Sequence, residues 1–174
     1  MTKIYFLVVA VLVTFNSTSQ TKDLPKFDFE NFNFPKAVVV DVEGKDKMQL
    51  EVDVRSWIQN YFTESTLIDS EFSKDSFLIS GKSRRFLKIK NLPTDLKYDL
   101  VISIRDQKYR FEIKSIYYKY YTEYRKIENV NLIKDEVIKK DLFESRSTIK
   151  TFFNNLNSNL FHFITNTNND FTRF

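Results

Sequence analysis

The stretch LKYDLVISIRDQKYRFEIKS, at positions 96–115, constrains the fold more than any other part of this sequence. Two runs of alternating apolar and polar residues are separated by Asp106 and Gln107, which is the pattern of a β-hairpin with a two-residue turn. The apolar pairs on one face would be Ile104 with Tyr109, Ile102 with Phe111 and Leu100 with Ile113. The pairs on the other face would be Arg105 with Lys108, Ser103 with Arg110, Val101 with Glu112 and Asp99 with Lys114. A shift of one residue would mix the two sets, so the pattern predicts the register as well as the hairpin.

Three strands and a helix are predicted before this hairpin. KAVVVDVEG at 36–44 is rich in β-branched residues and predicts a strand. The apolar residues of 46–62 recur at helical spacing, and Asp46 is a good N-cap residue for that helix. Two further strands are predicted at 65–72 and 75–90, joined by a short turn.

The strand predicted at 75–90 has a break in its alternation. Its inward-facing apolar residues are Phe77, Ile79, Leu87 and Ile89. Arg85 has the same parity as these residues, so we expect a bulge or bend between Gly81 and Arg85, and two separate strands are the alternative. NLPTD at 91–95 predicts a loop that leads into the hairpin.

Helices dominate the C-terminal third of the predicted fold. Residues 132–144 are a candidate short helix, and a longer helix with one apolar face follows. The apolar residues of that face are Ile149, Phe152, Phe153, Leu156, Leu160, Phe163 and Ile164. Between hairpin and helices, 117–131 is interpreted as the end of a strand and a connection. Its tyrosines either pack on the last helix or form a contact zone; they are Tyr117, Tyr118, Tyr120, Tyr121 and Tyr124.

These elements predict one α+β domain at 36–165, an antiparallel sheet with strand-helix-four strands-helix order and its helices on one face. Residues 20–35 are predicted to be an extended lead-in that docks phenylalanine rings on the domain, and 166–174 a frayed tail. The N-terminus has the pattern of a secretory signal peptide at 1–19: Lys3, an apolar run too short to span a bilayer, and small residues before a cleavage site near Ser19. The expected location is therefore secreted or periplasmic.

Several motifs carry a resemblance to a known family. They are the strand VVVDVEG, the helix VDVRSWIQNYF with its tryptophan near the end, FLISGKS, and the hairpin strand DQKYRFEI. In these motifs the chain resembles a family of secreted domains of unknown function from Gram-negative bacteria, assigned a TATA-binding-protein-like fold. The resemblance covers about residues 36–165 and implies that fold. It implies no catalytic residues. The family usually has Asp-Gly at the hairpin turn, where this chain has Asp106-Gln107.

Few of the residue types that catalysis and metal binding require are present. The chain has no cysteine and one histidine, His162, which lies among apolar residues of the last helix without an assignable serine or aspartate partner. Two glycines are too few for a phosphate-binding loop, and no acidic loop has calcium-site spacing. We therefore predict no cofactor, no metal site and no catalytic residue. The alternative is a carboxylate-dependent hydrolase of the cell envelope, with Glu51 and Asp53, or Asp69 and Glu71, as its acid pair.

Positive charge is concentrated in the middle of the chain, where 82–126 holds thirteen Lys or Arg and five Asp or Glu. A candidate basic face on the sheet comprises Lys88, Lys90, Arg105, Lys108, Arg110 and Lys114. We predict a non-catalytic binding module whose basic face contacts an anionic partner such as lipopolysaccharide, an acidic glycan or an acidic protein, and an ordinary solvated face is the alternative. Nucleic acid is disfavoured because Tyr109 and Phe111 face away from the cations, whereas single-strand binders place rings and charges on one surface.

Overall fold

The structure, a computed structural model, describes residues 23–30, 32–127 and 132–166. Within them, six strands form one antiparallel sheet and three helices pack on it. The strands are β1 (Lys36–Asp41), β2 (Leu67–Ser73), β3 (Ser76–Ile89), β4 (Leu92–Arg105), β5 (Lys108–Tyr120) and β6 (Glu123–Lys126). The helices are α1 (Lys47–Tyr61), α2 (Glu136–Glu144) and α3 (Arg146–Asn166). The predicted α+β class and antiparallel sheet are confirmed. The predicted signal peptide lies outside the described residues.

The sheet has the order β1-β5-β4-β3-β2, and β6 pairs with the part of β5 that β1 leaves uncovered. This sixth strand is an addition to the predicted order, in which the residues after β5 were a connection. The last two helices are α2 and α3, so the candidate short helix within 132–144 is present. Among the described residues, no helix has the length and apolarity needed to cross a membrane.

The β4–β5 hairpin has the predicted register next to its turn, with Ile102 opposite Phe111. The turn contains no glycine, and Gln107 itself adopts a positive φ of 59°. Contacts from outside the hairpin hold the turn in place. The Lys47 N–H donates to Asp106 Oδ1 at 2.9 Å, and the Gln107 N–H donates to the Lys45 carbonyl at 2.9 Å.

The predicted pair of Asp99 with Lys114 is wrong, because a β-bulge interrupts β5. Asp99 lies opposite Ser115, and the register changes so that Lys114 is the extra residue. A bulge shifts the alternation of every residue beyond it. Ile116 and Tyr118 are therefore buried, and Tyr117 turns toward the opposite face of the sheet.

β3 is one continuous strand of 14 residues with a bulge, as one of the two predicted alternatives has it. The register breaks between Ser83 and Leu87, and Arg85 has a φ of 51°. The predicted loop at 91–95 is wrong. The turn consists of Lys90 and Asn91 alone, both with positive φ as a type I′ turn requires, and β4 already begins at Leu92.

The helices cover one face of the sheet and enclose the core. α1 begins with a capping box: Asp46 Oδ1 accepts from the Gln49 N–H at 2.8 Å, and Gln49 Oε1 accepts from the Asp46 N–H at 3.0 Å. Trp57 is buried and donates from its indole N–H to Asn159 Oδ1 on α3 at 2.7 Å. His162 is exposed on α3, away from this core.

The lead-in before β1 belongs to the same core. Phe27, Phe29 and Phe32 are buried, and the Phe29 ring stacks on Phe153 of α3 with 5.9 Å between centroids. The Phe27 N–H donates to Asn154 Oδ1 at 2.8 Å, which fixes the segment to the same helix. The docking of the phenylalanine rings that the sequence predicts is therefore present.

Candidate functional site

One face of the sheet is polar and faces away from the helices; we call it the open face. Its centre is acidic and hydrogen-bonded. The Asp99 carboxylate accepts from the Ser80 hydroxyl at 2.7 Å and from the Ser115 hydroxyl at 2.9 Å, so it joins β3, β4 and β5. The Tyr117 hydroxyl donates to Ser115 Oγ at 3.2 Å. A carboxylate with two donors from neighbouring strands is well satisfied and stabilises the sheet.

Glu112 is a second carboxylate on this face, with a side chain only 5% exposed. Arg110 forms an ion pair with it, and the Lys114 ammonium lies 3.3 Å from Glu112 Oε1. Two of the six cations predicted for the basic face are therefore engaged by an acid on their own strand. The charge of Arg110 and Lys114 is therefore already partly neutralised in the unbound protein.

The six predicted cations do not form one patch. Arg105 and Lys108 lie opposite each other beside the β4–β5 turn. Lys88 lies opposite Pro93, which is twelve positions before Arg105 on β4. At about 3.3 Å per residue, the two groups are about 40 Å apart along the strand.

Lys90 points to the helices instead of the open face. Its ammonium lies 2.5 Å from Asp135 Oδ2 at the start of α2, and its backbone N–H donates to Asp141 Oδ2 at 2.7 Å. The hydrogen bond that the Lys90 ammonium donates to Asp135 raises the pKa of Lys90 and lowers the pKa of Asp135. Lys90 thus holds α2 against the β3–β4 turn.

The bulge at Lys114 brings rings and cations together at the far end of the open face. We call this group the basic-aromatic end; its residues are Lys82, Lys97, Tyr117, Lys119, Tyr124 and Lys126. Cross-strand partners share a face, and Tyr117 lies between Lys97 on β4 and Lys126 on β6. The Lys97 ammonium lies 5.3 Å from the Tyr117 ring centroid, and the Lys119 ammonium lies 6.0 Å from that of Tyr124. None of the four lysines was among the predicted cations, whereas Tyr117 and Tyr124 belong to the tyrosine group for which a contact zone was one of the two predicted roles.

Lys82 and Lys97 are direct cross-strand neighbours within this end. Like charges in that arrangement destabilise a sheet by about 0.2–1 kcal/mol. Within the described residues neither ammonium forms an ion pair. In the part of the chain that the structure describes, the positive charges of Lys82 and Lys97 are therefore not neutralised by an ion pair.

A cleft of about 330 Å³ lies at the end of the sheet next to these residues, and we call it the terminal cleft. It is lined by Ile89, Leu92, Pro93, Thr94, Asp95, Lys119, Tyr120 and Tyr121. Asp95 Oδ1 accepts from the Arg85 N–H at 2.9 Å, and the Thr94 hydroxyl donates to the Lys119 carbonyl. Partial burial raises the pKa of Tyr124, and the neighbouring Asp95 raises it further. The cleft thus combines aromatic, anionic and cationic groups.

The acid pairs proposed for a hydrolase are arranged differently from a catalytic pair. The Lys45 ammonium lies 2.7 Å from Asp53 Oδ2, and both side chains are 6% exposed. Glu51 bonds Arg55 at 3.2 Å on the surface of α1. Asp69 and Glu71 lie exposed on the edge strand β2. In the described part of the chain, no group of three or more His, Asp or Glu residues could hold a metal ion.

The fold and this face together define an α+β domain with helices on one side of an antiparallel sheet and a polar face on the other. Residues 37–119 match the family described as a domain of unknown function (DUF4468) with TBP-like fold. Over these residues the chain is similar to the DUF4468 family, and the family description indicates no specific function or enzymatic activity. The resemblance to a family of domains of unknown function with a TBP-like fold is thereby confirmed for residues 37–119.

Two solved structures have the same fold. A TBP-like protein from Parabacteroides distasonis ATCC 8503 is 19% identical with a TM-score of 0.54, over 76% of this chain and 92% of that chain. A DUF4468 family protein from Bacteroides ovatus ATCC 8483 is 16% identical with a TM-score of 0.58, over 83% of this chain and 91% of that chain. At these identities the likeness shows the fold alone. No curated protein matches the chain.

Proposed function

We propose that this chain is a non-catalytic binding module and that the basic-aromatic end of its open face contacts an anionic partner. The observation that carries the proposal is the row of Lys82, Lys97, Tyr117 and Lys126 across four neighbouring strands. An anion above this row would offset the repulsion between Lys82 and Lys97. Binding would therefore relieve a destabilising arrangement of the unbound sheet.

The other cationic pair is less suited to this role because acids surround it. Arg105 and Lys108 also lie opposite each other, but Asp41 is the partner of Lys108 on β1. Asp75 is close enough to Arg105 for the arginine to contribute to the lowered pKa of that carboxyl, after the larger effect of Lys47. An incoming anion would meet these carboxylates first, which weakens the attraction.

The proposed place of action is outside the cytoplasm, as a secreted or periplasmic protein. The support is the pattern of the first nineteen residues, a single lysine, an apolar run and small residues near Ser19. Mass spectrometry of the protein recovered from the cell envelope or medium should give a mature chain that begins near Gln20. A retained Met1 would contradict this location.

Lys82→Glu is expected to weaken retention on immobilised heparin, the polyanion we would use as a first probe. We expect about a tenfold loss of affinity at low ionic strength, or about 1.4 kcal/mol, because the variant replaces an attraction with a repulsion. The effect should shrink at higher salt, which screens exposed charges. Elution salt concentration and a titration in solution would measure it.

Arg105→Glu is the matched control for this change. Each variant lowers the net charge by the same amount and converts a like-charge cross-strand pair into an opposite-charge pair, with Lys97 or with Lys108. We expect Arg105→Glu to bind heparin within about twofold of the wild type, since a rim charge outside the contact has little effect. Equal losses in both variants would mean that net charge alone governs binding, and the proposed surface would then be wrong.

A further inference from the structure

Tyr121 combines an unfavourable backbone conformation with an exposed ring. Its φ is 53° and the residue is 76% exposed. It is the first residue of the two-residue turn between β5 and β6, where hairpins prefer Gly or Asn. Of the non-glycine residues with positive φ in the described part of the chain, Tyr121 alone is aromatic. Burial of the ring contributes little free energy to offset the strained backbone. Such a residue is more typical of a ligand site than of a turn that stabilises the fold.

The ring of Tyr121 stands against Tyr120, with 4.6 Å between centroids and 72° between planes. The Tyr120 ring is already in contact with cations, since the Arg125 guanidinium lies 4.5 Å and the Lys90 ammonium 5.8 Å from its centroid. Tyr121 therefore supplies an accessible aromatic face at the mouth of the terminal cleft. The volume of this cleft, about 330 Å³, suits a single small ring.

The polar lining of the cleft contains two groups of opposite charge, Asp95 and Lys119. Lys119 is a donor and a cation, and Asp95 as a carboxylate accepts hydrogen bonds only. Asp95 Oδ1 already accepts from the Arg85 N–H, but a carboxylate has further acceptor positions. A ligand that brings hydrogen-bond donors to these positions and negative charge to Lys119 would therefore match the lining. Its ring must also present a surface that stacks on Tyr121.

We infer that the anionic partner is an acidic glycan and that one of its sugar rings stacks on Tyr121 in the terminal cleft. This inference rests on the function proposed above. The C–H face of a sugar ring fits the negative face of an aromatic ring, and its hydroxyls can donate to Asp95. Carboxylate, sulfate or phosphate groups on neighbouring sugars would reach Lys119 and then Lys97 and Lys82 along the open face.

Two other polyanions satisfy these requirements less well. An acidic protein segment could donate to Asp95 only from its backbone N–H groups, because its carboxylates accept hydrogen bonds and would repel Asp95. The acyl chains of an anionic membrane would leave the Asp95 carboxylate facing hydrocarbon, which is costly. Sugar hydroxyls avoid this conflict because they can donate to Asp95 while the charged substituents of the glycan face the lysines.

The test compares Tyr121→Asn with Tyr121→Phe in binding to a heparin-derived tetrasaccharide. Asparagine tolerates positive φ, so Tyr121→Asn should fold at least as stably as the wild type while removing the ring. We expect its affinity to fall about fivefold, since ring contacts of this kind commonly change affinity by about three- to tenfold. Tyr121→Phe keeps the ring and should bind as the wild type does. Thermal unfolding of both variants would establish that the fold is intact.

Polyglutamate, maltotetraose and phosphatidylglycerol vesicles serve as comparison ligands. A preference for the tetrasaccharide, lost in Tyr121→Asn and retained in Tyr121→Phe, supports the glycan. If Tyr121→Asn binds the tetrasaccharide unchanged, or if polyglutamate or vesicles bind as tightly, the glycan inference fails. A loss of binding in Lys82→Glu would then still support the proposed anion-binding surface. Equal binding of neutral maltotetraose would overturn the acidic character of the glycan. If the wild type binds none of the polyanions, the proposed function fails as well.

Discussion

Replacing Phe29 with alanine is expected to lower the free energy of unfolding by about 3–5 kcal/mol, the usual cost of deleting a buried phenylalanine side chain. Phe29 is 2% exposed and stacks on Phe153 of α3, with the rings only 6° from parallel. It also meets Phe32 edge-on, with 6.4 Å between centroids. The loss matters because Phe29 precedes the segment 37–119 that matches the family. Urea unfolding followed by circular dichroism would measure it.

Phe143→Ala is the control, since it deletes the same type of side chain at an exposed position. Phe143 is 53% exposed, and its ring contacts the Arg146 guanidinium at 3.4 Å from the centroid. Losing this exposed cation-π contact should cost less than about 1 kcal/mol. If the Phe29 variant were destabilised no more than the Phe143 variant, the lead-in would not be part of the core.

Asp53→Ala is expected to cost about 3 kcal/mol, because it removes the carboxylate that pairs with a buried ammonium. The side chains of Lys45 and Asp53 are each 6% exposed and 2.7 Å apart. Breaking a buried pair by removing one partner commonly costs about 3–5 kcal/mol, although the intact pair adds little net stability. Chemical denaturation of the variant would measure the loss, and a Lys45→Met/Asp53→Ala double variant should recover most of it.

Glu51→Ala provides the comparison within the same helix. The ion pair of Glu51 with Arg55 is exposed, and such pairs four residues apart contribute about 0.3–0.5 kcal/mol. A large difference in the free energy of unfolding between the Asp53 and Glu51 variants would indicate that Asp53 stabilises the fold and is not half of a catalytic acid pair. Similar small losses, or no recovery in the double variant, would contradict that role.

The sequence predicts those parts of this fold where burial dictates an alternating or helical pattern. The β4–β5 pairs nearest the turn are specified because a shift of one residue would expose Ile102 or Phe111. The N-cap of α1 at Asp46 is also predictable from the sequence, because the capping hydrogen bonds join residues only three positions apart. The short strand β6 is not predictable in this way, since all four of its residues are exposed and carry no hydrophobic alternation.

The candidate site was missed because of the single extra residue at Lys114. Continued alternation from Phe111 and Ile113 would have kept Tyr117 in the core, and the bulge reverses that assignment. One signal was present in the sequence: the apolar residues change parity from Ile113 to Ile116, which indicates an inserted residue. The meeting of Lys82 with Lys97 is a long-range consequence of two registers and has no local signature. Lys90 and Arg105 follow each other in the list of predicted cations, but they lie at opposite ends of β4.

The measurement that tests the central claim most directly is a nuclear magnetic resonance titration of the isotope-labelled protein with the heparin-derived tetrasaccharide. The account predicts that the largest chemical-shift changes fall at 82–84, 94–97 and 117–126, the residues of the basic-aromatic end and the terminal cleft. The β4–β5 turn around 104–110 should change little, since its cations lie beside Asp41 and Asp75. The largest changes at that turn, or changes spread evenly over all surface lysines and arginines, would contradict the account.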